Sequence, residues 1–169
     1  MEEEIKKPLK LHLGCGSTHL EGYINIDIRR TSAAEVIADA RDLPFEESSA
    51  ELIESYHLIE HIPRYELPPA LEKWHRMLIR GGRIIVECPD LDKVCQLYLK
   101  GKDDALVLIF GGQRYAHDTH YFGYNFKRLA ALFQEAGFTE IIEKAAQDYH
   151  TQRGPCLRLE CVSKNEKNQ

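Results

Sequence analysis

The 169-residue sequence lacks any long hydrophobic run: its longest wholly apolar stretch, Ala105 to Phe110, falls far short of the ~20 residues a membrane helix needs. It begins Met1-Glu2-Glu3-Glu4, acidic where a secretory signal would be basic, so a soluble protein of the cytoplasm is expected. It lacks paired cysteines as well. The five present, at positions 15, 88, 95, 156 and 161, are odd in number, scattered and without a Cys-x-x-Cys pair, which argues against a disulfide framework and a zinc knuckle. It also lacks an excess of positive charge. Lys and Arg total 22 against 27 acids, a net charge of -5, so no global field would draw it onto duplex nucleic acid or an anionic membrane. Internal repeats, low-complexity tracts and long Pro/Gly/Ser linkers are missing too, and the length then predicts one domain over residues 1–169.

What remains is an ordinary globular composition, 43% apolar and 29% charged, with a hydrophobic period that alternates between strand and helix. Strands are expected at Leu9 to Leu13, Tyr23 to Ile28, Val36 to Ala38, Glu51 to Tyr56 and Arg83 to Cys88, the last apolar enough for burial on both faces. Leu67, Leu71, Trp74 and Leu78 recur at helical spacing behind Pro68 and Pro69, with Gly81-Gly82 as the expected stop. Further helices are expected at Leu91 to Leu99, Asp103 to Phe110 and Phe126 to Ala136, the last turning Leu129, Leu132 and Phe133 inward. Thr139 to Ala145 and Cys156 to Ser163 follow with no helix between them. The pattern predicts an α/β fold with a Rossmann-like, mostly parallel seven-stranded sheet ending in an antiparallel hairpin. The ends, 1–7 and 164–169, read as flexible tails.

Chemistry is expected first at the Gly14-Cys15-Gly16 turn after the first strand, where backbone can approach a ligand closely. The third glycine of Gly-x-Gly-x-x-Gly is missing, with His19 in its place, which disfavours a dinucleotide and hence a nicotinamide dehydrogenase. Asp27 ends the second strand, where a carboxylate can take both hydroxyls of a ribose. Only 11 residues separate it from Gly16, so the first crossover helix must be abbreviated.

The segments Leu11-His12-Leu13-Gly14-Cys15-Gly16-Ser17, Gly22 to Asp27, Ala38-Asp39-Ala40-Arg41-Asp42-Leu43-Pro44-Phe45, His57-Leu58-Ile59-Glu60-His61-Ile62 and Leu78 to Arg83 stand in a recognisable order. Together they resemble the class I S-adenosylmethionine-dependent methyltransferases, in the methyltransferase-domain group that includes the ubiquinone and menaquinone enzymes, and most closely a short bacterial subgroup of unassigned substrate. The resemblance covers roughly Leu9 to Pro89, with Leu129 to Phe138 similar to the family's late segment. It implies a cofactor half over residues 8–89, a substrate cap over 90–124 and a closing helix and hairpin over 125–163. It further implies S-adenosylmethionine as cofactor, with Gly14, Cys15 and Gly16 facing its methionine moiety and Asp27 its ribose. Asp39 and the Ala40 amide would meet the adenine, and His57 would lie near the sulfonium.

The acceptor side is expected in Gln113 to Tyr124, where His117 and His120 are the candidate bases and Gly111-Gly112 a hinge. His57 and His61 would share one face of a helix, but with Pro63 beyond and no third ligand evident, no metal site is expected. An amino-methyltransferase of nucleobases is disfavoured, because Ser55-Tyr56-His57-Leu58 replaces the usual Asn/Asp-Pro-Pro-aromatic grip. A cytosine carbon-5 enzyme is disfavoured because Cys88 lacks a second cysteine after the fourth strand. These observations predict methyl transfer to a small molecule, with no membrane or nucleic-acid partner, in a compact site or one completed by a second subunit of a homodimer. The alternative is a non-catalytic module that keeps the cofactor pocket.

Overall fold

The structure, a computed structural model, describes residues 7–164, so nearly all of the two expected tails lies outside the described residues. Seven strands form one sheet: β1 (Leu9–Leu13), β2 (Ile24–Asp27), β3 (Val36–Ile37), β4 (Ala50–Tyr56), β5 (Leu78–Pro89), β6 (Phe138–Lys144) and β7 (Cys156–Ser163). Their order is β3-β2-β1-β4-β5-β7-β6, with β7 antiparallel to both neighbours and the first five strands parallel. The helices are α1 (Leu67–Met77), α2 (Leu91–Leu99), α3 (Ala105–Phe110) and α4 (Phe126–Glu135). This is the expected α/β architecture with its terminal hairpin.

One helix stop differs from expectation. The chain enters β5 at Leu78, directly after α1, and Gly81-Gly82 lies inside that strand. The pairing jumps from Ala50↔Leu78 to Leu52↔Arg83, so five steps along β5 match two along β4 and the glycine pair accommodates the excess as a bulge. A break in hydrophobic period signals the end of a helix, but it does not distinguish a loop from a bulged strand. The segment after β4 also departs from the expected helix: His57 has φ +52° and precedes a single 3-10 turn at Ile59–His61.

The first crossover is shorter still than expected, for β1 and β2 are joined by turns alone, as are β2 to β3 and β3 to β4. The helices that cover the sheet are therefore on one side. Leu11, Leu13, Ile53, Ile84, Val86 and Leu159 pack in one cluster with Leu71 and Trp74 of α1 and with Leu129 and Phe133 of α4. Trp74 is fully buried and its Nε1 donates to the Ala40 carbonyl at 2.8 Å, tying α1 to the loop after β3. The other side of the sheet carries polar residues: His12, Glu54, Tyr56, Glu87, Arg158 and Glu160 in register across β1, β4, β5 and β7. There the Arg158 guanidinium bridges Glu87 and Glu160, both at 2.7 Å. Tyr23 and Tyr56 both donate to the Glu54 carboxylate, at 2.9 and 2.6 Å.

Candidate active site

The carboxyl ends of the parallel strands open into a cavity of about 870 Å³, at the upper end of the ~300 to 1,000 Å³ usual for small-molecule sites. All the expected residues from the strand ends line it: Gly14, Cys15, Gly16, Asp27, Asp39, Ala40 and His57. Gly14 has φ +68°, and a Cβ there would crowd the Leu58 side chain at 3.0 Å, so the turn requires glycine both for its backbone and for its packing. Asp27 is 5% exposed and accepts the Gly16 amide on Oδ2 at 2.9 Å and the Arg29 amide on Oδ1 at 2.8 Å. Asp39 is clasped by the Arg41 guanidinium, which holds its carboxyl below the usual range.

Residues 104–121 supply the opposite wall. Tyr115 stacks its ring under the Arg29 guanidinium at 4.6 Å, and the Tyr121 amide donates to the Glu60 carbonyl at 2.8 Å, so this segment bridges back to the strand ends at two points. The Asp118 carboxylate closes its turn on the Arg114 amide and Nε, at 3.0 and 2.9 Å. Gly111, expected as a hinge, has φ +77° and bridges to Thr119. A Cβ there would overlap the Asp118 carbonyl, so glycine serves close packing at this point.

The two histidines expected on the acceptor side both line the cavity but differ in setting. His117 is exposed at the rim, near enough to Asp39 for its charge to be felt there. His120 is half-buried, donates Nδ1–H to the Leu108 carbonyl at 3.0 Å and is kept neutral by burial. His57 stands at the centre of a larger cluster. Its Nδ1 lies 3.1 Å from Glu60 Oε1, its Nε2 3.3 Å from Cys156 Sγ, and its ring stacks on His150 at 4.1 Å. Burial opposes the imidazolium of His57, but the hydrogen bonds to Cys156 and Glu60 outweigh it and raise the pKa; Glu60 is correspondingly lowered.

The family of methyltransferase domains matches residues 11–86. Over that span the chain is similar to a methyltransferase domain, as the sequence resemblance implied. No curated protein matches. Solved structures share the fold at low identity. One is a methyltransferase from Thermotoga maritima described as a possible histamine N-methyltransferase, with 17% identity and a TM-score of 0.62 over 95% of this chain and 84% of that one. Another, from Archaeoglobus fulgidus, has 15% identity and a TM-score of 0.66 over 92% and 86%. A third, from Haloferax volcanii, was solved in complex with the Trm112 activator; it has 14% identity and a TM-score of 0.60 over 99% and 87%.

The cofactor of this methyltransferase is S-adenosylmethionine, and the residues present fit it. Asp27 Oδ2 accepts only the Gly16 amide, which leaves it a lone pair for a ribose hydroxyl, while Oδ1 already accepts the Arg29 amide and, at 3.3 Å, Arg29 Nε. The Ala40 amide lines the cavity and has no acceptor among the described residues, as a donor to a ring nitrogen should. The methyltransferase also holds groups that sequence reasoning passed over. Asp148 and His150, on the 3-10 turn between β6 and β7, reach into the cavity, and His150 Nδ1 bonds the Asp148 carboxylate. Their only signal in the sequence is an Asp-x-His in a loop, which carries no weight until the fold returns that loop to the site.

Proposed function

We propose that the methyltransferase acts on a small-molecule acceptor bound between the histidine cluster and residues 104–121. What supports this is the size and lining of the cavity of about 870 Å³, which leaves space beside the cofactor ringed by His57, His61, His120 and His150. The cofactor supplies a methyl group already activated on a sulfonium. The protein must then hold the acceptor in line, exclude water and receive a proton if the nucleophile is a hydroxyl. In this reading residues 8–89 bind cofactor, through Gly14, Cys15, Gly16, Asp27, Asp39, Ala40 and His57, and residues 90–124 cover the acceptor.

Of the imidazoles, His150 is best arranged to take the proton. Burial and the charge of the adjacent His57 pull it below the ordinary histidine range, so its second nitrogen is free at neutral pH. Asp148 fixes the tautomer by accepting from Nδ1, which turns the basic Nε2 away from the carboxylate. His117 belongs to the rim near the adenine end and His120 to the acceptor wall. A cytoplasmic setting is supported by the five unpaired cysteines, of which Cys95 is exposed.

The test is transfer of labelled methyl from S-adenosylmethionine into a panel of small hydroxy and amino compounds. A His150→Ala variant is expected to lose ~10²- to 10⁴-fold in kcat, the usual worth of a positioned base, with cofactor affinity unchanged. Turnover of His150→Ala at the wild-type rate would remove the proton-accepting role.

A further inference from the structure

On the wall of the acceptor space stands a group whose chemistry the methyl transfer does not use. Glu60, His61 and His120 place one potential ligand atom each within 4.8 Å of one another. Glu60 is 1% exposed, and apart from His57 Nδ1 beside Oε1 no hydrogen-bond partner among the described residues reaches its carboxylate oxygens. An ionised carboxylate is not left in this condition without cause, since water has been removed and only His57, 3.1 Å from Oε1, faces it with charge.

The two histidines show how the space is meant to be filled. His61 Nδ1 lies 3.0 Å from the Thr119 carbonyl and His120 Nδ1 3.0 Å from the Leu108 carbonyl. A carbonyl can only accept, so both Nδ1 atoms carry a proton, and Nε2 is the nitrogen each ring has left to offer a metal ion. Anchoring one ring nitrogen on a backbone carbonyl is the arrangement that orients an imidazole for coordination through the other. The rings meet edge to face, with centroids 4.6 Å apart. Two imidazoles, each anchored on a backbone carbonyl, and a buried carboxylate thus converge from the 3-10 turn and from the cap.

We propose that Glu60, His61 and His120 form a binding site for a divalent transition-metal ion, with an open coordination position toward the acceptor. Two neutral imidazoles and one carboxylate suit zinc, iron(II), cobalt or manganese over calcium and magnesium, which take oxygen ligands. Metal bonds of ~2.0 to 2.2 Å keep any two ligands within about 4.4 Å, so the three atoms close in slightly when the ion binds. The larger cavity touches the site through His61 and His120. A second, largely apolar cavity of about 260 Å³, lined by Cys88, Phe122 and Tyr124, borders Glu60 and His120 on another side. Placed there, the ion would hold and acidify an acceptor oxygen while His150 receives its proton. This last role rests on the acceptor reading above, whereas the site itself does not.

The experiment titrates chelator-treated full-length protein with Co²⁺, read by visible absorption, and with Zn²⁺, read by calorimetry and by thermal unfolding. One equivalent is expected to bind and to raise the unfolding temperature, because only the folded chain assembles the ligands. His61→Ala and His120→Ala, at half-buried positions, are expected to weaken Zn²⁺ at least about tenfold and to change the Co²⁺ spectrum. His57, Asp148 and His150 form a second group of potential ligands, so Asp148→Ala serves as the control and is expected to leave binding intact. Failure to bind one equivalent, binding indifferent to both histidine variants, or binding lost with Asp148→Ala would each overturn the site. No cofactor or acceptor is present in these titrations, so their failure leaves the methyl-transfer reading untouched.

Discussion

The two faces of the sheet solve the same problem by opposite means. On one, Leu11, Leu13, Ile53, Ile84, Val86 and Leu159 are buried under α1 and α4, and burial of apolar surface holds the layers together. On the other, no helix follows β1, β2 or β3, and the strands present His12, Glu54, Tyr56, Glu87, Arg158 and Glu160. That face is stabilised by pairing its own charges. It is also the face that builds the site, for buried Glu87 accepts the Gln147 and Asp148 amides at 2.9 and 3.0 Å and so fixes the turn that carries His150. Packing gives this protein its stability, and the polar ladder positions its chemistry.

That division can be broken first on the packed face. Trp74→Ala removes a fully buried indole and its bond to Ala40, and is expected to cost about 3 to 5 kcal/mol in denaturant unfolding. A loss under about 1 kcal/mol would mean that α1 is not the main support of the sheet. On the polar face, Arg158→Met leaves Glu87 buried and uncompensated, with an expected loss of up to about 3 to 5 kcal/mol. The comparison predicts more for this variant: because Glu87 also holds the 147–150 turn, kcat should fall beyond what unfolding explains, whereas Trp74→Ala should spare kcat in the fraction that remains folded.

Asp27→Ala sharpens the comparison at the strand ends. It should weaken S-adenosylmethionine by about 1.5 to 3 kcal/mol, the worth of hydrogen bonds to a charged acceptor, with a small change in unfolding temperature. Equal affinity in calorimetry would take Asp27 out of the cofactor site. The smallest effect is acid sensitivity. Burial would raise the Glu160 carboxyl, but Arg158, and Arg83 beyond it, outweigh burial and hold it below the ordinary value of 4.5. A carboxyl whose folded pKa is depressed contributes stability above its unfolded pKa and loses it as pH falls through the folded one. Glu160→Gln should therefore lower stability slightly at pH 7, where the contribution is fully present, and flatten the stability profile below about pH 4.5, where the wild type loses it.

Much of this was legible in the chain. The α2 helix at Leu91–Leu99 and the β7 strand at Cys156–Ser163 follow from local period and punctuation alone. The Gly14 turn and Asp27 were legible because their separation is short and the geometry that relates them is a single strand-turn-strand unit. The cluster around His57 was not legible. His57 and Cys156 stand 99 residues apart, and His150 and Asp148 reach the cavity only because β7 lies beside β5. No third potential ligand beside His57 and His61 was legible either: Glu60 and His120 come within reach of His61 through a 3-10 turn and the cap, about which helical spacing says nothing.

By itself the sequence determined the order of elements, the glycine turn with its acid at the next strand end, and thereby the class of cofactor, since all of these depend on neighbours in the chain. Tertiary structure alone decided that one face of the sheet would be left to polar residues, because that depends on which side the helices pack. It alone also decided which histidines would be neutral, charged or anchored, because an imidazole's state is set by the groups brought around it, and those come from distant segments.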